Sequence, residues 1–314
     1  MIRTGIIGSE QIWQGYVESI NNIGELRLVG FFDPAADSTI RELSGVKPFA
    51  ESDSLLHEVD AVIALSPMSS AEHIENYVRN SKHVLFEPVQ LFSKSEASRL
   101  MNMIDEADVK VQPGFDKRYN MVFRAVRPFI KNPRIIVSNH FVQYDVKTRN
   151  TSVLIDILLN DIDLVLSLVN SEIKSISATG VSINNTSPDT INARIEFNNK
   201  CVAQFNAGRV ALEEKNEITF YHNNNYVYAN LSANSAMLVR KNAPFTDLGL
   251  FSSLKGELQC EPILIPSTDE KYSSIKAFAS AIVKNTSPEV NLESMMRTFS
   301  AAQIIAEKLK LVSH

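Results

Sequence analysis

The residues with the most legible chemistry stand where a short apolar run, Ile2 to Ile7, gives way to Gly8-Ser9-Glu10-Gln11-Ile12-Trp13. A strand, a glycine turn and a helix together bring backbone amides onto a pyrophosphate. In G-x-G-x-x-G the first glycine makes the turn, the second admits the phosphates and the third lets the helix lie close to the strand. Those three places read Gly8, Glu10 and Trp13. A Glu10 carboxylate would face two phosphate charges. Trp13 would overpack helix on strand at about 1 to 3 kcal/mol unless the backbone moved. Asp33 ends a second apolar run, 25 residues beyond Gly8. A carboxylate there suits the ribose 2′-hydroxyl of NAD and repels the 2′-phosphate of NADP, while the same residue before Pro34 also suits an ordinary turn. Ser66-Pro67 follows the apolar run Ala61 to Leu65, at an edge where open α/β sheets bind ligands, and it too reads equally as a strand-ending turn.

A second constellation lies in Ser152 to Val169, where Asp156, Asn160, Asp163 and Ser167 recur at helical spacing in an otherwise apolar stretch. Asp156 and Asn160 would sit one turn apart and project into a polar pocket, or the stripe is the wet face of a surface helix. The histidines include no i,i+4 pair, and His57 between Asp53 and Asp60 has no further ligand, so no metal is expected. Cys201 and Cys260 lack CxxC spacing and read as free thiols. Neither a G-x-S-x-G elbow nor a P-loop is present.

These groups need a scaffold, and the chain supplies a recognisable one. Ile2 to Ile7, Leu26 to Phe32, Ala61 to Leu65, Lys82 to Phe86 and Val109 to Val111 read as strands with helices between them, the pattern of a doubly wound parallel sheet. Lys94 to Glu106 is the best-marked helix, with Ser93 and Glu96 as a capping box and Ala97, Leu100, Met101 and Ile104 as its stripe. After about Tyr119 the texture changes. Beyond the 152–169 helix come runs of period two, the cleanest being Thr190 to Phe197, which predict a half-solvated antiparallel sheet. Two helices follow, near Ser273 to Val283 and Leu292 to Leu309. The expected division is 1–118 for a dinucleotide-binding-like domain and 119–314 for an α+β domain that holds substrate and oligomer contacts. The 314 residues are 44% hydrophobic and 21% charged, ordinary for a globular protein, and the net charge of −5 without a basic run argues against nucleic acid. Carboxylates and an amide interrupt the most apolar stretch, Val153 to Val169, so no membrane span is expected, and the chain reads as cytoplasmic.

Taken in order, the motifs resemble the glucose-fructose oxidoreductase and inositol dehydrogenase family, Gfo/Idh/MocA. That family carries GxGxxG, Thr-Pro, Gly-Lys-His-Val, Glu-Lys-Pro, Gly-Phe-x-x-Arg-Phe and Asp-x-x-x-His-x-x-Asp. Here these read Gly8 to Trp13, Ser66-Pro67, Ser81 to Val84, Glu87-Pro88, Gly114 to Tyr119 and Asp156 to Asp163, and the similarity runs nearly end to end. The resemblance implies a Rossmann domain followed by an α+β domain with a large, mostly antiparallel open sheet. It implies contacts to NAD or NADP from Gly8, Glu10, Ile12, Asp33, Ser66, Pro67 and Glu87. It also implies a sugar, sugar nucleotide or cyclitol substrate and a homodimer or homotetramer. The family's proton-transferring lysine and histidine fall on Pro88 and Asn160, which cannot act as a base near neutral pH. Asp156, Asn160 and Lys117 are then the candidate catalytic residues. Absence of acid–base help costs about 10²- to 10⁴-fold in such steps. Two expectations follow: an oxidoreductase with a remodelled site, or a non-catalytic relative that binds a small molecule or a partner and has lost the dinucleotide.

Overall fold

A computed structural model describes residues 1–35, 46–88, 90–144, 152–183, 187–241 and 258–312; the side chains of Glu10, Ile12 and Trp13 lie outside the described set. The chain begins β1 (Ile2–Ile7), α1 (Glu10–Asn21), β2 (Leu26–Phe32), β3 (Lys47–Pro48), α2 (Ser52–Glu58), β4 (Ala61–Ala64), α3 (Ala71–Arg79), β5 (His83–Phe86), α4 (Lys94–Ala107) and β6 (Val111–Pro113). The six strands form a sheet in the order β3-β2-β1-β4-β5-β6, every pair parallel. Helices cover a parallel sheet, so its strands can be apolar on both faces. All four residues of β4, Ala-Val-Ile-Ala, are buried accordingly. The capping box at Ser93 and Glu96 forms as the sequence predicts. β6 starts two residues later than expected because Asp108 closes α4 in the left-handed conformation and Val109 still donates to the Ile104 carbonyl.

The middle of the chain builds a second sheet. After α5 (Met121–Val126) come β7 (Ile135–Gln143), a π-helical turn (Leu154–Leu158), α6 (Leu159–Leu168), β8 (Ile173–Val181), β9 (Thr190–Phe197), β10 (Val202–Ala211), β11 (Lys215–Tyr221), β12 (Asn225–Asn230), β13 (Ser235–Lys241) and β14 (Leu258–Pro262). The order is β14-β13-β12-β11-β7-β10-β9-β8, antiparallel except for β7 beside β10. The expected alternation is present: Ile191, Ala193, Ile195 and Phe197 of β9 are buried. Asn192 on the opposite face donates to Asn206, which donates to Asn139, at 2.6 and 2.8 Å, an amide chain across three strands.

Two helices close the chain, α7 (Glu270–Val283) and α8 (Leu292–Val312). The chain divides into two compact units, one of Met1–Tyr119 with Thr268–Phe299 and the other of Asn120–Ser267 with Ser300–His314. Within the first unit, Ile275, Phe278 and Ala279 of α7 join Tyr16, Val17 and Ile20 of α1 in one core over Ile6, Ile63 and Leu85. Phe299 is fully buried, edge-on to Phe92 at 5.7 Å and to Phe115 at 6.4 Å. Phe299→Ala is expected to destabilise the protein by about 3 to 5 kcal/mol, because a cavity opens where two rings lose their partner. Urea unfolding followed by circular dichroism measures it.

Candidate functional site

The turn after β1 is dictated by one atom that is missing. Gly8 has φ +146°, and a Cβ on it would lie 2.7 Å from Leu65 Cβ and 2.8 Å from the Leu65 carbonyl oxygen. Both the backbone angle and the space demand glycine. The amides on either side are fixed by neighbouring strands: Gly8 N donates to Phe32 O at 2.9 Å and Ser9 N to Ser66 O at 3.0 Å. Ser9 then starts α1 without capping it through its side chain. The predicted residues Gly8, Asp33, Ser66, Pro67 and Glu87 therefore gather at the carboxyl edge of the parallel sheet, after β1, β2, β4 and β5. Glu10 and Ile12 belong to the first turn of α1 by their backbone. The Asp33 carboxylate accepts the Ala35 amide at 2.9 Å, so the turn role and the edge position coexist in one residue. The preserved glycine turn, the edge position of Asp33 and the helix that starts immediately behind fit a dinucleotide at this edge.

Glu87 and Asp116, which follows β6 in a 3-10 turn, share the edge with a charged group contributed by α7. Lys117 Nζ lies 3.2 Å from Glu270 Oε1, so this candidate catalytic lysine is held in an ion pair. Lys271 Nζ lies 4.1 Å from the centre of the Tyr16 ring. Desolvation of the half-buried Asp116 carboxyl pushes its pKa up to about 7; the Ser274 hydroxyl and the Lys271 charge oppose the rise, while Glu270 and Glu87 add to it. Burial likewise raises the Tyr16 phenol, with Asp116 and Glu87 contributing.

In the second unit, the 152–169 helix opens with a π-helical turn, whose wider winding breaks the one-turn stacking of Asp156 on Asn160 that α-spacing predicts. Asp156 is exposed, Asn160 half-buried, Asp163 buried and Ser167 half-buried, with the Ser167 hydroxyl donating to Leu164 O at 2.6 Å. The stripe is thus not uniformly wet. Sequence reasoning missed a buried carboxylate of this helix, Asp161, which is 1% exposed. Ser138 donates to its Oδ2 at 3.1 Å, and His140 Nδ1 lies 3.1 Å from Oδ1. Since the carboxylate can only accept, Nδ1 carries the proton, and Nε2 faces Asn216 Nδ2 at 3.4 Å. The signal was available: Ser138 and His140 are alternate residues of one strand, hence on one face, but nothing local in the sequence connects that face to Asp161.

Among the described residues no group of three or more His, Cys, Asp or Glu is placed to hold a metal ion, and no helix is long and apolar enough to cross a membrane. Residues 2–115 match the model of an oxidoreductase family described as an NAD-binding Rossmann fold. Along 285 residues the chain is 24% identical to UDP-N-acetylglucosamine 3-dehydrogenase of Acidithiobacillus ferrooxidans, covering 90% of this chain and 88% of that protein. It is 25% identical over 192 residues to inositol 2-dehydrogenase of Rhizobium meliloti, covering 57% of this chain and 58% of that protein. A solved structure of the Acidithiobacillus ferrooxidans enzyme superposes with a TM-score of 0.89 at 23% identity, over 99% of this chain and 98% of that one.

His140→Ala is expected to cost about 3 kcal/mol, because it strips a buried carboxylate of its imidazole. Ser138→Ala is expected to cost about 1 kcal/mol, because one neutral donor is lost. Parallel urea titrations of the two variants separate these effects; equal losses would show that His140 does not carry the network.

Proposed function

We propose, for a chain that belongs to the Gfo/Idh/MocA family of oxidoreductases, a nicotinamide-dependent dehydrogenase acting on a hydroxyl of a sugar nucleotide or a similar sugar-like alcohol. The observation that carries this reading is the turn at Gly8, where angle and space still require glycine at the edge of a sheet ordered for dinucleotides. The similarity to a sugar-nucleotide dehydrogenase over 90% of the chain supports the substrate class.

Gly8 and the start of α1 would hold the pyrophosphate, with Asp33 on the ribose and Ser66, Pro67 and Glu87 beside the nicotinamide half. Bound there, the nicotinamide supplies the hydride acceptor for oxidation of an alcohol. Asp156 and Asn160 would bind and orient sugar hydroxyls, the amide of Asn160 donating and accepting hydrogen bonds without taking a proton. The Lys117 ammonium, shared with Glu270, would add a positive charge at the edge.

Glu10, Trp13, Pro88 and Asn160, read against the family motifs the chain resembles, favour a second reading, a non-catalytic relative that binds a small molecule or a partner and has lost the dinucleotide. Fluorescence titration with NADH and NADPH tests the cofactor first. Micromolar NADH binding with NADPH weaker by about tenfold or more is expected from Asp33; no binding by a protein folded by circular dichroism would sink the dehydrogenase. Incubation with NAD and UDP-N-acetylglucosamine, with NADH formation followed by absorbance, then distinguishes turnover from binding alone. Asn160→His is expected to leave turnover unchanged within about twofold, since position 88 still offers no ammonium. A gain of about tenfold or more would show that one histidine suffices.

A further inference from the structure

The edge strand of the parallel sheet is fastened at its start by a side chain. β6 has three residues and a single neighbour, β5, and the last of the three, Pro113, has no amide to give. Lys110 leads into it with both backbone groups bound to β5. Its carbonyl accepts from Val84 N at 2.8 Å, and its amide donates to His83 Nδ1 at 2.9 Å. The imidazole thus stands in for a backbone acceptor, and it is held in place because the His83 amide donates to Asp60 O at 3.1 Å. Since Nδ1 accepts, the ring proton is on Nε2. A second proton can go only on Nδ1, where it would set one donor against another. Protonation of His83 and the bond to Lys110 therefore exclude each other.

The charges around the ring are already committed. Lys110 Nζ lies 3.5 Å from Asp108, which closes α4, and Asp60, just before β4, is paired with Arg3 of β1 at 2.6 Å. Lys82 Nζ donates to Val59 O at 2.8 Å. Each carboxylate near the ring thus has a cation of its own. Burial and the Lys110 charge hold the imidazole below the ordinary histidine pKa, against the opposing pull of Asp60 and Asp108. His83 is only half-buried, so a proton from solvent can reach it.

We propose that His83 is an acid-released latch on the edge strand: neutral, it ties Lys110 to the sheet, and protonated, it lets the start of β6 open. The strand it releases carries Gln112, whose amide holds Ser274 of α7 at 3.1 and 3.3 Å, and runs on to Lys117 at the carboxyl edge. Linkage gives the sign. The opened strand binds the proton more readily than the closed one, so the latch is fully engaged above the ordinary histidine pKa. Its contribution is lost as pH falls from there toward the lowered value.

Two measurements test this in the whole protein. Nitrogen-15 NMR of the imidazoles at about pH 7.5 is expected to show the Nε2–H tautomer for His83, and an Nδ1–H ring would overturn the proposal. Hydrogen exchange at the Lys110 amide, corrected for its intrinsic chemical rate, is then followed by NMR from about pH 7.5 to about pH 5. Protection is expected to fall by up to about tenfold per pH unit below the pKa of an exposed histidine, while the β4 amides keep theirs. In His83→Gln, whose side-chain carbonyl accepts at any pH, Lys110 is expected to stay equally protected throughout. In His83→Ala it is expected to be weakly protected at every pH. Protection of Lys110 that does not change with pH in the wild type, or a pH dependence that survives in His83→Gln, overturns the proposal.

Discussion

The close approach of the chain leaving β1 to the end of β4 is the constraint on which the first unit depends. Gly8 passes so near Leu65 that no side chain fits, and its amide and that of Ser9 are held by β2 and by Ser66. This contact fixes where α1 starts, and α1 in turn carries Tyr16, Val17 and Ile20 into the core shared with α7. The carboxyl edge is thus set by backbone packing, with charged side chains added afterwards. That hierarchy makes Gly8 decisive, because its lack of a side chain decides whether the turn exists.

The second unit solves a different problem. An apolar helix must lie on a sheet while carrying several carboxylates. Asp161 resolves part of this by turning inward to Ser138 and His140, so the helix is anchored by hydrogen bonds as well as by its leucines and isoleucines. A buried carboxylate accepting from a hydroxyl and an imidazole fixes rotation of the helix about its axis more tightly than apolar contacts do, because hydrogen bonds tolerate little angular error. Asn160, next to it, is half-buried.

Much of this was legible in the sequence, for physical reasons that differ by element. β1, β2 and β9 match their expected bounds because a buried parallel strand is continuously apolar and a half-buried one alternates, and both patterns are local. The two-residue β3 and the parallel placement of β7 beside β10 were hidden, since neither leaves a periodic trace. The positions of the glycine turn, Asp33 and Ser66-Pro67 at the carboxyl edge of the parallel sheet were readable from spacing. The cluster around Asp116 was not. It depends on α7, more than 150 residues further along, donating Ser274 and Lys271 to a strand end, and no local pattern carries that information. The spacing of Asp156 and Asn160 misled for a related reason, because α-helical periodicity was assumed across a turn wound as a π-helix.

The one parallel ladder in the large sheet bears on how this chain acquires its structure in time. β7 is made first, yet its neighbour on one side is β10, and Ile135 must wait for Val202 before that ladder can close. Between them the chain has to lay down α6 and the β8-β9-β10 meander, so β7 spends synthesis with an unpaired edge. Loop closure over such a span delays the reward for pairing, and strands of this kind gate the rate of folding. The eight-stranded sheet is thereby a late-assembling body with a vulnerable central strand, and the Asn139-Asn206-Asn192 amide chain that crosses β7, β10 and β9 is a register lock that can engage only when that assembly is complete.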